Sequence, residues 1–336
     1  MLVMKLMFVG DVNLGEYYTN FGNGPGTYAE NNNNFSAVTS IFSTADLVAC
    51  NLEASICSVG LDINEPESVV LRAKPQLAKQ LSSNNIRLVQ VANNHSIQHG
   101  AEAFEECLGL LESNGISYVG LNKAGPVVLT IDGQTVGFMA ASDVPDNTDK
   151  TQSLYQYLDE DFIARTCLAA KSVDHLVVML HWGLEASTSP LPYQREIASR
   201  LKSSGVRLII GSHPHLFYDI EKDDSFVCAY SLGNFVFDLC WDSRLLKTGI
   251  LEVNLDSTSV ISAKVWPVTI KNNGALPMPV GEPVEIHGSL KLYSLGKSMR
   301  YQQIKKVIYH LSNLFKGNTG LKWLFFKRKV LGIKPR

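Results

Sequence analysis

Apolar runs of strand length recur along this chain, and five of them end on side chains able to hold a metal ion. In order they are MFVGD with Asp11, LVACNLE with Asn51 and Glu53, LVQVANNH with Asn94 and His95, VVMLHWGLE with His181 and Glu185, and LIIGSHPH with His213 and His215. Short β-branched runs alternating with amphipathic stretches predict α/β layers. In an open α/β sheet the residues just beyond the carboxyl ends of the strands converge on one crevice. The five endings are therefore expected to meet.

Strands are expected over 6–9, 47–51, 88–92, 135–141, 176–180, 208–210 and 228–231, with helices over 35–44, 76–83, 101–113, 159–172 and 193–203. Pro190 and Pro192 mark the start of the last of these helices and Gly205 its end. Residues 249–270 read as a hairpin turning at 256–259. The loop over 20–34, rich in Asn, Gly and Pro, reads as too polar to pack as a core.

Carboxylate, amide oxygen and imidazole form a mixed N/O donor set suited to divalent Mn, Fe or Zn. One or two ions are expected. Two metals about 3.5–4 Å apart can hold a phosphoryl group from both sides and acidify water. Taken singly, each residue has a plainer reading. A lone His95 or His181 could be structural, Asp11 could cap a turn, and Glu53 could be a surface acid. Arg72 fits a substrate anion through its planar fork or an ordinary salt bridge equally well. The pair His213 and His215 around Pro214 is the stronger signal, because that turn can face two imidazoles toward one point. His99, His175, His287 and His310 have no such setting and read as structural or surface residues. There is no GxSxG, GxGxxG or GxxxxGK[ST] run.

Charge divides the chain. With 30 basic and 32 acidic residues the net charge is −2, yet residues 286–336 hold twelve Lys or Arg and no Asp or Glu. Residues 1–285 then carry 18 basic and 32 acidic side chains, a net −14. This predicts one acidic domain over 1–285 and a basic helical tail over 286–336, and the near-neutral total argues against a nucleic-acid partner. Residues 318–336, NTGLKWLFFKRKVLGIKPR, have the composition of an interfacial helix for an anionic membrane surface. Packing on the body or a partner protein fits them as well. No signal peptide or membrane-spanning run is read, which fits a cytoplasmic or peripheral membrane protein and leaves the extracellular face open. Six scattered cysteines without CxxC spacing read as reduced core thiols.

The text GDVNLG at 10–15, ADLVACNLEASI at 45–56, LRAKPQLAKQL leading to VANNHSIQHG, HWGLE at 181–185, GSHPH at 211–215 and YSLGNFVFD at 230–238 resembles the bacterial capsule-synthesis CapA family, which includes poly-gamma-glutamate capsule biosynthesis proteins. That family is similar to the calcineurin-like metallophosphoesterases. The resemblance implies a four-layer α/β/β/α sandwich with its site at the strand ends. It also implies Asp11, Glu53, Asn94, His181, His213 and His215 as metal ligands and His95 as general acid. Asn51, Glu185 and Asn234 are then supporting or substrate-positioning groups. In-line attack by a metal-bound hydroxide is the implied mechanism.

Two positions depart from the pattern: Asn13 stands where metallophosphoesterases carry the His of Asp-x-His, and Gln98 where the family reads Asp. The implied process is capsule, exopolysaccharide or poly-gamma-glutamate assembly. Two readings of the crevice stay open within it. One is a divalent-metal-dependent hydrolase of a phosphate-bearing or related polymer intermediate. The other is a non-catalytic accessory that binds the surface polymer or its synthase complex.

Overall fold

The computed structural model describes residues 3–131, 133–148, 154–296 and 303–332. Lys297, Arg300, Ile333, Lys334 and Arg336 of the basic segment lie outside the described residues.

Each central strand is apolar on both faces, which a sheet needs when both faces are covered. In Met4–Val12, Leu6 and Phe8 enter one core while Met7 and Val9 enter another. In His175–His181, Val177 and Met179 join Leu6 and Phe8, whereas Val178 and Leu180 turn the opposite way. The period of two along each strand thus builds three stacked cores.

The first sheet runs Leu276–Pro279, Val260–Lys271, Lys247–Leu255, Met4–Val12, Leu47–Leu52, Ile86–Gln90 and Ser117–Val119, and Asn234–Val236 also pairs with Met4–Val12. The second runs Ser289–Leu290, Ile220–Lys222, Val227–Ala229, Leu208–Ser212, His175–His181, Gln134–Ser142 and Val127–Ile131. Helices Ala78–Ser83 and Ala101–Ser113 cover the outer face of the first sheet through Leu81, Phe104 and Leu111. Helices Glu160–Ala169 and Pro192–Ser203 cover the second through Phe162 and Leu201. The result is an α/β/β/α sandwich with a helical C-terminal extension.

Helix boundaries follow local chemistry. Asp159 accepts from Phe162 N at 2.8 Å and caps Glu160–Ala169. Pro192 opens the next helix, and Gly205 stops it at φ 100°. The expected helix over 35–44 shrinks to Thr39–Phe42. Asn33 Oδ1 accepts from Phe35 N at 2.9 Å, an Asx turn that starts the segment as successive turns instead.

The polar loop over 20–34 departs from expectation too, since Asn20 and Asn34 are fully buried. Their amides bond to Asp238 O at 2.6 Å and Ala275 O at 3.0 Å, so the loop packs by satisfying its polar groups. Among the described residues no disulfide forms, and the six cysteines are free.

Two glycines let strands approach closely enough to deliver site residues. A Cβ on Gly10 would sit 1.8 Å from Gly233 O, and one on Gly211 would sit 1.9 Å from Tyr230 O. Gly10 precedes Asp11, whose N bonds to that same Gly233 O at 2.9 Å. Gly10→Ala is expected to destabilise the protein by about 3 kcal/mol or more, because backbone has to move on both strands. Chemical denaturation of the two proteins checks this.

The basic segment does not begin as a separate unit. Ser289–Leu290 is an edge strand of the second sheet, just past the boundary expected at 285. Helix Thr319–Leu331 is seated on the body: Arg328 pairs with Glu65 and Glu67, and Phe325 stacks on Tyr18 at 4.2 Å between centroids. Lys322 is fully buried, its ammonium donating to Asn313 O at 2.9 Å and Lys316 O at 2.7 Å. Among the described residues no helix is long and apolar enough to cross a membrane.

Candidate metal centre

The carboxyl ends of Met4–Val12, Leu47–Leu52, His175–His181 and Leu208–Ser212 come together, as parallel pairing in each sheet requires. Asp11 lies opposite Asn51 on one side and Asn234 on the other. His181 lies opposite Ser212, the residue before His213. His213 and His215 adopt φ of 94° and 60°, left-handed values unusual outside glycine. Such backbone is held only where its surroundings over-determine it, and here it turns two imidazoles inward, with ring centroids of His181 and His213 4.7 Å apart.

One ligand atom each from Glu53, His181 and His213 lie within 4.8 Å of one another, and so do those from Asp11, Glu53 and His215. Glu53 belongs to both groups. Its Oε1 lies 4.0 Å from Nε2 of His181, 4.0 Å from Nε2 of His95 and 3.8 Å from Nε2 of His215. All five residues of the two groups are buried.

Hydrogen bonds fix these groups in place. Asn51 Nδ2 donates to Asp11 Oδ1 at 2.8 Å and to Glu53 Oε2 at 3.2 Å, which holds both carboxylates by one oxygen each. Asn93 Nδ2 in turn donates to Asn51 Oδ1 at 3.2 Å and Leu52 O at 2.8 Å. Asn234 Nδ2 donates to Leu245 O at 3.2 Å, which leaves Oδ1 to accept from His215 Nδ1 at 2.9 Å. That bond puts the proton on Nδ1 and turns the Nε2 lone pair of His215 toward Glu53. Asp11 Oδ2 is 3.1 Å from the same Nδ1, but the well-aligned bond goes to Asn234. Asn94 Oδ1 sits 2.8 Å from His181 Nε2, within the same cluster.

Asp11 Oδ2, Glu53 Oε1 and His213 Nδ1 are buried without a hydrogen-bond partner. Native proteins rarely leave such groups unpaired without a reason. Burial, then the Asp11 charge, pushes the Glu53 carboxyl well above its ordinary range. Burial, then the neighbouring imidazoles, pushes His181 well below the ordinary histidine value and His213 down to about 4. Burial also opposes the charged form of His215, but the Asp11 carboxylate beside it wins and raises its pKa. Two carboxylates and three imidazoles therefore crowd together in the interior, and a divalent ion fits the donor types and the unpaired atoms alike.

The remaining expected residues take separate places. His95 stands at the rim of the cluster, with Nδ1 2.6 Å from Gln98 Oε1. Glu185 is exposed, yet near enough for its charge to act on Glu53, His95, His213 and His215. Arg72 spends its fork on the backbone, donating to Ser68 O and Val59 O at 2.7 Å each. Asn13 turns from the cluster to bond Asp238 Oδ1 at 3.2 Å and to accept from Gly15 N at 2.8 Å. Of the other histidines, His99, His175 and His310 hydrogen-bond within the fold, and His287 is exposed.

Two contributors escaped the sequence reading. Asn93 is the first Asn of the NNH run and positions Asn51. Asp238, the last residue of YSLGNFVFD, is fully buried and raised to about 7 by burial, and it holds Asn13 and the Tyr17 N–H. Their presence in those runs was the only signal available.

A protein of Bacillus subtilis (strain 168), "PGA biosynthesis protein CapA", is 28% identical over 288 residues, covering 83% of this chain and 74% of that protein. "Capsule biosynthesis protein CapA" of Bacillus anthracis is 25% identical over 291 residues, covering 82% and 69% respectively. Among solved structures, sulfate thiohydrolase SoxB of Thermus thermophilus aligns at 12% identity and a TM-score of 0.47, covering 82% of this chain and 56% of that one. The model of the family described as bacterial capsule synthesis protein PGA_cap matches residues 5–239, a span that takes in Asp11 through Asp238. The chain belongs to the bacterial capsule synthesis protein PGA_cap family.

Proposed function

We propose that this capsule-synthesis protein is a divalent-metal-dependent hydrolase of a phosphate-bearing or related intermediate of a surface polymer. The observation that carries the reading is Glu53, a buried carboxylate common to both groups of donor residues, whose Oε1 has no hydrogen bond. Asp11, Glu53 and His215 would hold one ion, and Glu53, His181 and His213, with Asn94 beside His181, a second. A divalent ion there supplies Lewis acidity toward a phosphoryl oxygen and acidifies water.

The chain's own residues supply the rest. Asn51 keeps one oxygen of each carboxylate occupied, which leaves the other available as a ligand. Asn234 holds His215 in the tautomer that can ligate. His95, when protonated, would offer its Nε2 proton to the leaving group, while Gln98, accepting from its Nδ1, sets the ring.

A second reading, a non-catalytic accessory that binds polymer or its synthase through the same crevice, draws on Asn13. Its amide is committed to Asp238 and Gly15, so the donor set has one imidazole fewer than Asp-x-His would give. Metal-dependent cleavage of a generic phosphodiester separates the readings. Activity that a chelator abolishes, that Mn or Zn restores, and that His213→Ala lowers together with metal content supports the hydrolase. Bound metal without any turnover supports the accessory.

A further inference from the structure

The helix Gln303–Asn313 is amphipathic in the inverted sense. Its polar side chains face the body: Tyr309 Oη lies 3.1 Å from both Asn20 Oδ1 and Asn273 Oδ1, His310 Nδ1 lies 3.2 Å from Thr19 Oγ1, and Asn313 Nδ2 donates to Asn20 Oδ1 at 3.0 Å. Its apolar side chains face outward. Ile304, Val307, Ile308, Leu311 and, one turn on, Phe315 follow the i, i+3, i+4, i+7 spacing and are 53% to 76% exposed. Trp323 of the next helix, 52% exposed, touches Phe315 edge-on at 6.3 Å and widens the stripe. Contiguous apolar surface of this kind marks an interaction site.

The surrounding charge selects the occupant. No acidic residue follows Glu285, and the exposed Lys305, Lys316, Lys327 and Lys329 accompany the apolar stripe. Lysine is depleted from protein–protein interfaces. A second copy of this face would also bring like charges together. An aliphatic and aromatic face edged by lysine, without acids, is the composition of a helix lying in the boundary of an anionic bilayer. Helix Thr319–Leu331 is anchored to the body through Arg328, Phe325 and Lys322, so most of the free stripe belongs to the preceding helix, with Trp323 added at its edge.

We infer that the face of Ile304, Val307, Ile308, Leu311, Phe315 and Trp323 docks this protein onto an anionic lipid surface. The inference stands apart from the hydrolase reading, since none of these side chains reaches the metal centre. The docked helix is nonetheless tied to that centre's surroundings. Tyr309 Oη lies 3.4 Å from Asp238 O, and Asp238 Oδ1 holds Asn13, two residues from Asp11.

The test is sedimentation of the full chain with vesicles at low ionic strength, where surface charge is least screened. It should pellet with phosphatidylcholine–phosphatidylglycerol vesicles and stay in solution with phosphatidylcholine alone. The double variant Val307→Glu and Leu311→Glu, altered only at exposed positions, should lose at least about tenfold in partitioning while keeping its circular dichroism and metal content. Failure of the wild type to pellet with the anionic vesicles would overturn the inference. So would a double variant that pellets like the wild type, or one that instead dissociates a dimer in light scattering, which would assign the face to a second copy.

Discussion

Without metal, the Glu53→Gln protein is expected to be more stable than the wild type by about 1–3 kcal/mol, the cost of burying an unpaired charged or polar oxygen. Glu53 is fully buried, and its Oε1 has no hydrogen-bond partner. Glutamine keeps the shape, has no group to ionise, and provides an amide N–H for a neighbouring carboxylate. With a divalent ion added, the order should reverse. Glu53 is the one residue common to both donor groups, so its loss should weaken both sites by more than the roughly 100-fold that removing an outer partner of a metal ligand can cost. Wild type then gains the full stabilisation of ligand binding to the folded state and the variant little of it. Thermal unfolding of the two proteins in chelator and in excess Zn or Mn shows the crossing of the two orders. A Glu53→Gln protein that is the less stable in chelator would make Glu53 an ordinary structural acid.

His95→Ala is expected to slow phosphodiester hydrolysis by about 10²–10⁴-fold, the usual worth of a positioned general acid, with bound metal unchanged. Burial holds the His95 imidazole below its ordinary pKa of 6.5, against the pull of Gln98 on Nδ1. An acid must be protonated to act. The His95-dependent part of the rate should therefore fall as pH rises through that lowered pKa, leaving the active fraction small at neutral pH. Gln98→Glu places a carboxylate where the Gln98 amide now sits, its oxygen 2.6 Å from Nδ1. It should raise the His95 pKa and move the alkaline limb of the profile upward. A pH–rate profile of the three proteins decides this. A limb that stays put in Gln98→Glu would assign the proton to another group.

The central strands were legible because burial on both faces writes itself as unbroken apolar runs, and the carboxyl end of each run pointed to the crevice. Asp11, Glu53, His181, His213 and His215 come together for that reason. Positioning groups were harder to read, because they act across the fold: Asn13 and Asp238 are 225 residues apart and meet only when Asn234–Val236 pairs with Met4–Val12. The loop over 20–34 misled because composition does not reveal that Asn20 and Asn34 find backbone acceptors in the interior. In the basic segment, composition announced amphipathic helices but not which face would dock. The body takes the polar face of Gln303–Asn313, because Asn20 and Thr19 offer it hydrogen bonds.

The proposed chemistry requires that the buried carboxylates and imidazoles behind these strand ends bind a divalent metal. Calorimetric titration of Zn or Mn into chelator-stripped wild-type protein tests it most directly. Saturable binding is predicted, accompanied by release of protons, because ligands have to be deprotonated to hold a metal and burial holds the Glu53 carboxyl above its usual range. Titrations that give neither binding heat nor proton release, with unfolding temperature unchanged by either metal, would contradict it.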